Sequence, residues 1–341
     1  MKIILITLAL TLLILPIQMR AQTDDSDKNV KSGKSPVSVP VIVSDREGHY
    51  IPGLKKEDFT VLQDGVKQNI TFFAKYDEPL NIALLIDTSG STEDVSKKIK
   101  NAAKELINLL NPNDRCLLAT FDNQVKILSP FTSDHKKLTK SLDKIQSANL
   151  GGTLMYRAVE QISRNSFADA EGRKVIVLLT DGKDFGSPVT KEDLLAQFEE
   201  SDILIYTVFY RTGTPPVDPV SGKPKKTKKS RKKKNVIIPT GPIYVPTEAE
   251  MVLRERTDEA EAVDVLKKMS EATAGRFYLS DTQNLNGVFK KVAGELREQY
   301  RLGFNSKDAA NDAATHDIII KVARPDAVVR FRGKFRAKQL Q

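Results

Sequence analysis

An unbroken apolar run that ends in a carboxylate constrains this chain most. Residues 82–86 are all apolar, too few for a helix, and typical of a strand buried on both faces. The run stops at Asp87, and the hydroxyls of Ser89 and Ser91 follow at alternate positions around Gly90. Open α/β sheets place their ligands at the carboxyl ends of such strands. We therefore predict a site of oxygen donors suited to a small divalent cation such as Mg²⁺.

The middle of the chain alternates strand and helix patterns. Further strands are predicted over residues 115–121, 125–128, 174–180, 203–210 and 276–279. Helices are predicted over residues 92–110, 133–145, 154–167, 190–200, 247–274 and 284–299, with Gly275 as the C-cap of the fifth. This alternation predicts the α/β class, with a doubly wound and mostly parallel sheet between layers of helices.

Both ends of the chain carry strand patterns instead. Strands are predicted at 37–43, 59–62 and 66–73 near the start, the last two flanking the hairpin signal Asp64-Gly65. Others are predicted at 300–304, 317–322 and 328–335. Two or three strands alone are marginal, so we predict one small β-sandwich built from both ends, with the α/β region inserted between them.

These patterns predict a division of the 341 residues into segments. They are a signal peptide at 1–21, a disordered linker at 22–35, the first part of the sandwich at 36–79, the α/β domain at 80–299 with a mobile Lys-rich insertion at 212–246, and the second part of the sandwich at 300–341. The signal peptide rests on Lys2, the apolar run 3–15 and Ala21 as the cleavage residue. It predicts export to the periplasm, the cell envelope or the medium; an uncleaved membrane anchor is the alternative.

The basic charge is concentrated in one segment. Residues 223–234, bounded by Lys223 and Lys234, hold nine Lys or Arg and no acid, which equals the net charge of +9. The remainder is close to neutral, so no general basic surface is expected and no nucleic-acid partner is predicted. A solvated flexible loop is the simplest interpretation, and contact with an anionic lipid, polysaccharide or nucleic-acid surface is the alternative.

The cysteine and the histidines offer no catalytic group. Cys116 is the only cysteine, so no internal disulfide can form, and its apolar surroundings predict a buried, inert thiol. His49, His135 and His316 are scattered, and we expect solvated surface side chains rather than a nucleophile's partner or a metal-binding pair.

Two more stretches supply oxygen donors. Thr153 follows two glycines, and Asp181 follows the apolar strand 174–180. D-T-S-G-S, G-G-T and L-L-T-D-G, in this order, resemble the von Willebrand factor type A domain over residues 80–299. The resemblance implies a metal-ion-dependent adhesion site, abbreviated MIDAS. Its five ligands would be Asp87, Ser89, Ser91, Thr153 and Asp181.

That resemblance also implies a mode of action. The ion would be Mg²⁺, with Mn²⁺ or Ca²⁺ as alternatives, and an open coordination position would attract an Asp or Glu carboxylate of a partner protein. The outer β regions, with P-G-L-K-K-E-D-F and Q-D-G, resemble a bacterial secreted group of type-A-related proteins of acidobacterial type. We predict an exported, non-enzymatic adhesion or scaffold module.

Other functions remain as alternatives. D-x-S-x-S alone could be a strand-to-helix turn in which serines cap the helix. A metal-dependent hydrolase is a second alternative, but a phosphatase of the haloacid dehalogenase type needs a second Asp where Ser89 stands. No phosphate-binding loop pattern is present. Asp184 is predicted to be a loop residue rather than a metal ligand.

Overall fold

Three sheets carry the fold in the part of the chain that the computed structural model describes. That part comprises residues 35–75, 78–146, 152–199, 201–211, 248–306 and 314–336. The predicted signal peptide, residues 22–34 of the linker and the Lys-rich insertion lie outside the described residues. Within them, no helix combines the length and the apolar character that a bilayer span requires.

The central sheet has six strands in the order β10-β9-β8-β5-β6-β7. The strands are β5 Leu80–Asp87, β6 Arg115–Phe121, β7 Val125–Thr132, β8 Arg173–Thr180, β9 Leu204–Tyr210 and β10 Phe277–Ser280. All pairings are parallel except that of edge strand β7 with β6. The predicted doubly wound, mostly parallel sheet is confirmed.

Helices cover both faces of this sheet. They are α1 Ser96–Asn108, α2 His135–Asp143, α3 Met155–Gln161, α4 Lys191–Glu199, α5 Glu248–Ala272 and α6 Leu285–Arg297. Leu84 of β5 packs in the core with α1, α2 and α6, while its neighbour Leu85 packs in the core with α3, α4 and α5. Successive strand residues face opposite sides, so a strand between two helical layers must be apolar throughout.

Three of the predicted helices differ from those in the structure near one end. The helix predicted from residue 92 begins as a 3-10 helix, Gly90–Val95, and the one predicted over 154–167 continues beyond α3 as a π-helix, Ile162–Ser166. Gly275 is not the left-handed residue at the end of α5; Ala274 is, with φ of 61°. Glycine is required at position 275 because a Cβ there would lie 1.9 Å from the backbone oxygen of Ile205.

The two ends of the chain form two four-stranded antiparallel sheets around one shared core. The sheet orders are β13-β1-β11-β4 and β14-β12-β2-β3. The strands are β1 Ser35–Ser44, β2 Phe59–Gln63, β3 Val66–Gln68, β4 Ile70–Lys75, β11 Tyr300–Ser306, β12 Thr315–Val322, β13 Val328–Phe331 and β14 Lys334–Arg336. Each sheet mixes strands from both ends, as expected; the exact domain boundaries stay a prediction.

Two predicted strands are wrong as single elements. The segment 66–73 is divided between β3 and β4, and the segment 328–335 between β13 and β14, with the two halves in different sheets each time. A chain that passes from one packed sheet to the other must leave its hydrogen-bond ladder, so the strand breaks at that corner. The hairpin at Asp64-Gly65 is present, and both residues have positive φ.

A buried carboxylate joins these sheets to the α/β region. Glu295 of α6 lies 2.9 Å from the Arg276 guanidinium and 2.7 Å from that of Arg330 on β13, and it accepts a hydrogen bond from the hydroxyl of Tyr278. Its side chain is 6% exposed. Glu295 is too deeply buried for water to replace these partners. The charge of Glu295 on α6 and that of Arg330 on β13 therefore compensate each other.

Candidate metal centre

Asp87 lies at the carboxyl end of β5, in the middle of the central sheet. Its side chain is buried, and its two oxygens have separate partners. The backbone N–H of Ser89 donates to Oδ1 over 2.9 Å, and the hydroxyl of Thr180 donates to Oδ2 over 2.7 Å. Thr180 belongs to the neighbouring strand β8, so the orientation of the carboxylate is fixed by two strands.

A second buried carboxylate follows directly on that neighbouring strand. Asp181 is 4% exposed and Asp87 is 1% exposed. Burial, and then the negative charge of Asp181, raise the pKa of Asp87 to about 6 from its ordinary value of 3.8. Both effects disfavour the charged form, and a cation between the carboxylates would relieve them.

The hydroxyl residues after Asp87 lie in a tight turn. Ser89 is buried, and its carbonyl accepts hydrogen bonds from the backbone N–H and the hydroxyl of Thr92. Thr88 donates its N–H to the carbonyl of Phe121 at the end of β6. Ser91 lies in the 3-10 helix that opens here. The chain therefore leaves β5 in a turn that is hydrogen-bonded to the adjacent strand.

Thr153 is held between the loops that follow two different strands. On one side, the N–H of Leu154 donates to the carbonyl of Asp122, directly after β6. On the other side, the N–H of Phe185 donates to the carbonyl of Thr153 over 2.8 Å. Since β6 and β8 flank β5, this connection brings the buried Thr153 to the edge where Asp87 lies.

Asp184 holds the loop after β8 against helix α3. Its Oδ1 accepts hydrogen bonds from the N–H of Tyr156 and the hydroxyl of Ser187, and its Oδ2 accepts from the N–H of Ser187. Tyr156 is in the first turn of α3, where backbone donors lack helical partners. Asp184 is thus a loop residue whose oxygens are engaged, as the sequence predicted.

Three neighbours of the site were not identified from the sequence. Thr180 was visible in L-L-T-D-G, but nothing in that pattern shows that its hydroxyl reaches Asp87. The ammonium of Lys183 lies 3.2 Å from Oδ2 of Asp181. Phe185 forms an isolated bridge with Thr153, and its side chain is 62% exposed.

The histidines lie away from this edge of the central sheet. His49 and His316 belong to the antiparallel sheet region, and His135 begins α2 after the antiparallel edge strand β7, at the opposite edge. The expectation of a surface side chain is wrong for His316, which is buried, 2.8 Å from Asp64 and stacked on Phe335. Cys116 is fully buried, and burial raises the pKa of its thiol to about 12, which confirms the predicted inert thiol.

In the part of the chain that the structure describes, one other group of side chains has metal-ligand chemistry. The ligand atoms of Asp45, Glu47 and His49 lie within 4.8 Å of one another in the turn after β1. His49 already contacts Asp45 through its N–H and its Nδ1. These two contacts stabilise the turn after β1, in the antiparallel sheets. This group is therefore not part of the candidate centre at Asp87.

The fold and the arrangement at Asp87 agree with a family match. Residues 81–220 match the model of the von Willebrand factor type A domain, so this part of the chain is similar to that family.

Several solved structures are similar to the chain. Proximal thread matrix protein 1 from the mussel byssus is 14% identical with a TM-score of 0.46, and the match covers 75% of this chain but only 50% of the mussel protein. Another structure of that protein, with a zinc-occupied MIDAS motif, is 15% identical with a TM-score of 0.46 over 68% of this chain and 48% of its own. BatB from Bacteroides thetaiotaomicron is 18% identical with a TM-score of 0.43, over 64% of this chain and 100% of its own.

Proposed function

We propose that this protein is an exported, non-enzymatic binding module that captures a carboxylate of a partner protein through a divalent metal ion. The proposed ligands are the five oxygen-bearing residues singled out in the sequence. They are Asp87, Ser89, Ser91, Thr153 and Asp181.

One observation carries this proposal: two carboxylates, Asp87 and Asp181, are buried at the ends of adjacent parallel strands. Two buried carboxylates that repel each other are costly unless cations compensate both of them. The ammonium of Lys183 lies against Asp181, whereas the hydrogen-bond donors to Asp87, from Ser89 and Thr180, are neutral. Ser89 and Thr153 are buried at the same edge and add neutral oxygens. A set of oxygens without nitrogen or sulfur fits Mg²⁺, Mn²⁺ or Ca²⁺, and we propose Mg²⁺ as the working ion.

The protein's own contribution is to orient the ligands. The N–H of Ser89 and the hydroxyl of Thr180 fix the orientation of Asp87. Serine and threonine hydroxyls are neutral, so they add no negative charge to that of the two carboxylates. When bound, the ion supplies an open coordination position for a carboxylate oxygen of the partner.

The non-enzymatic part of the proposal rests on the residue two places after Asp87. Ser89 stands where an aspartyl phosphatase needs its acid–base carboxylate. A nucleophilic role for Asp87 would require such a partner, and the residues that donate hydrogen bonds to its two oxygens, Ser89 and Thr180, are not acid–base groups.

Capture from an envelope extract of the source cells tests the proposal. The immobilised mature chain, its Asp87→Ala variant and the wild type in EDTA would be compared, and captured proteins would be identified by mass spectrometry. We expect a protein retained only by the wild type with Mg²⁺, and expect Asp or Glu substitutions in that protein to abolish capture. Identical capture in all three arms would contradict the proposal, as would turnover of phosphate ester or peptide substrates that requires Asp87.

A further inference from the structure

Beside the proposed ligands, one loop presents a cation and an aromatic ring to solvent. Lys183 is 42% exposed and Phe185 is 62% exposed, and they flank Asp184 in the loop after β8. Lys183 contacts the proposed ligand Asp181, and Phe185 is bonded through its backbone to the proposed ligand Thr153. Both side chains therefore lie at the rim of the candidate centre.

The backbone of this loop is fixed although its side chains are exposed. Phe185 donates its N–H to Thr153, and Asp184 accepts hydrogen bonds from Tyr156 and Ser187. The N–H of Arg157 also donates to the hydroxyl of Ser187 over 3.2 Å. A large apolar side chain on a fixed backbone loses little conformational freedom when a partner covers it, and such residues contribute most to interface affinity.

The positive charge of Lys183 indicates a second property of the partner, an acidic group. The Lys183 ammonium now neutralises Oδ2 of Asp181. A divalent ion at that carboxylate would repel the ammonium, which would then be available to a second anionic oxygen arriving from outside. The metal ion and Lys183 would together favour an acidic group on the partner, and Phe185 would favour an apolar side chain beside that group.

We propose that Lys183 and Phe185 determine partner specificity, and that the site binds a protein segment in which an Asp or Glu has a large apolar side chain near it. This inference rests on the proposed metal-dependent function and adds the second, apolar determinant. The occupant is a protein segment, because a free anion has no apolar group to cover Phe185.

A displayed library of random heptapeptides tests this specificity. The immobilised full mature chain would select peptides in Mg²⁺, with elution by EDTA, in parallel with Phe185→Ser, Lys183→Met and the control Val66→Ser. Val66 is 64% exposed on β3, in the antiparallel sheets, so its substitution removes an exposed apolar group away from the centre. Thermal unfolding would verify that all four proteins are folded.

The outcomes separate this inference from the function on which it rests. We expect the wild type and Val66→Ser to enrich acidic residues with a large apolar neighbour. Phe185→Ser should keep the acidic preference and lose the apolar one, with about tenfold weaker binding of a selected peptide. Lys183→Met should keep the apolar preference and bind the same peptide more weakly. Acidic enrichment without an apolar preference in the wild type would overturn this inference alone. No EDTA-sensitive acidic enrichment would overturn the proposed function and the inference together.

Discussion

The hydroxyl of Thr180 donates a hydrogen bond to Oδ2 of Asp87 over 2.7 Å, across the ends of two neighbouring parallel strands. The same hydroxyl oxygen accepts the N–H of Gly182 over 2.9 Å, so it also orders the turn that contains Asp181. One side chain that is no proposed ligand therefore orients the carboxylate of Asp87 and orders the turn that carries Asp181.

Substitution of Thr180 by valine should weaken metal binding while preserving shape. Hydrogen-bond partners behind metal ligands typically contribute about 10- to 100-fold to metal affinity, and we expect a loss of about tenfold for Mg²⁺ by isothermal titration calorimetry. Thr180→Ser keeps the hydroxyl and should bind Mg²⁺ nearly as the wild type does. Equal affinities for the valine and serine variants would contradict this role.

Protonation of Asp87 should stabilise the metal-free protein, relative to a variant without this carboxyl group, as the pH falls from 7 to 4. The pKa of Asp87 is about 6 in the folded protein and 3.8 as its ordinary value, so the folded state binds more protons between these pH values. The difference corresponds to roughly 3 kcal/mol, which stabilises the fold below pH 4 and is lost as the pH rises through 6.

The measurement compares wild type and Asp87→Asn by denaturant unfolding in EDTA. As the pH falls from 7 to 4, the free energy of unfolding of the wild type should rise relative to that of the Asn variant. A difference between the two proteins that is constant over this range, or that changes in the opposite direction, would show that Asp87 titrates normally.

Removal of the Lys183 charge should tighten metal binding. Its ammonium lies 3.2 Å from Asp181, so an arriving divalent ion must displace it and overcome its repulsion. We expect Lys183→Met to raise Mg²⁺ affinity by about three- to tenfold in calorimetry, with a smaller gain at high salt. Lys136→Met, on the exposed surface of α2, is the matched control and should leave affinity unchanged. Weaker Mg²⁺ binding by Lys183→Met would rule out this competition.

The carboxylate of Glu295 should be essential for the stability of the junction between the sheets. Glu295→Gln leaves Arg276 and Arg330 without their shared buried anion, which should cost about 3 kcal/mol in the free energy of unfolding. Adding Arg330→Met to that variant removes one stranded charge and should recover part of the loss. A double variant as unstable as the sum of the single changes would indicate no coupling between these residues.

Regular apolar patterns in the sequence were sufficient to predict the central sheet and the edge at which its ligand candidates meet. The apolar run before Asp87 required a strand covered on both faces, and the structure has β5 in the middle of the parallel sheet. Ligand candidates at two strand ends had to meet at one edge, because parallel strands end on the same side. Asp87 and Asp181 therefore could be placed together without a structure.

Features that depend on distant approaches could not be predicted. The segment 66–73 has a continuous strand pattern, and only packing against the second sheet divides it into β3 and β4. His316 is buried because Asp64, in the turn after β2, and Phe335, on β14, pack against it. The roles proposed for Lys183 and Phe185 follow from their contacts with Asp181 and Thr153, which the sequence does not show.

Asp87 is proposed to belong to a divalent-metal site, and calorimetric titration of Mg²⁺ into the wild type and Asp87→Ala decides whether it does. We expect one Mg²⁺ per wild-type chain and no binding by the variant, which should remain folded because its buried charge is gone. Binding of Mg²⁺ to a folded Asp87→Ala protein with the wild-type affinity would contradict the claim.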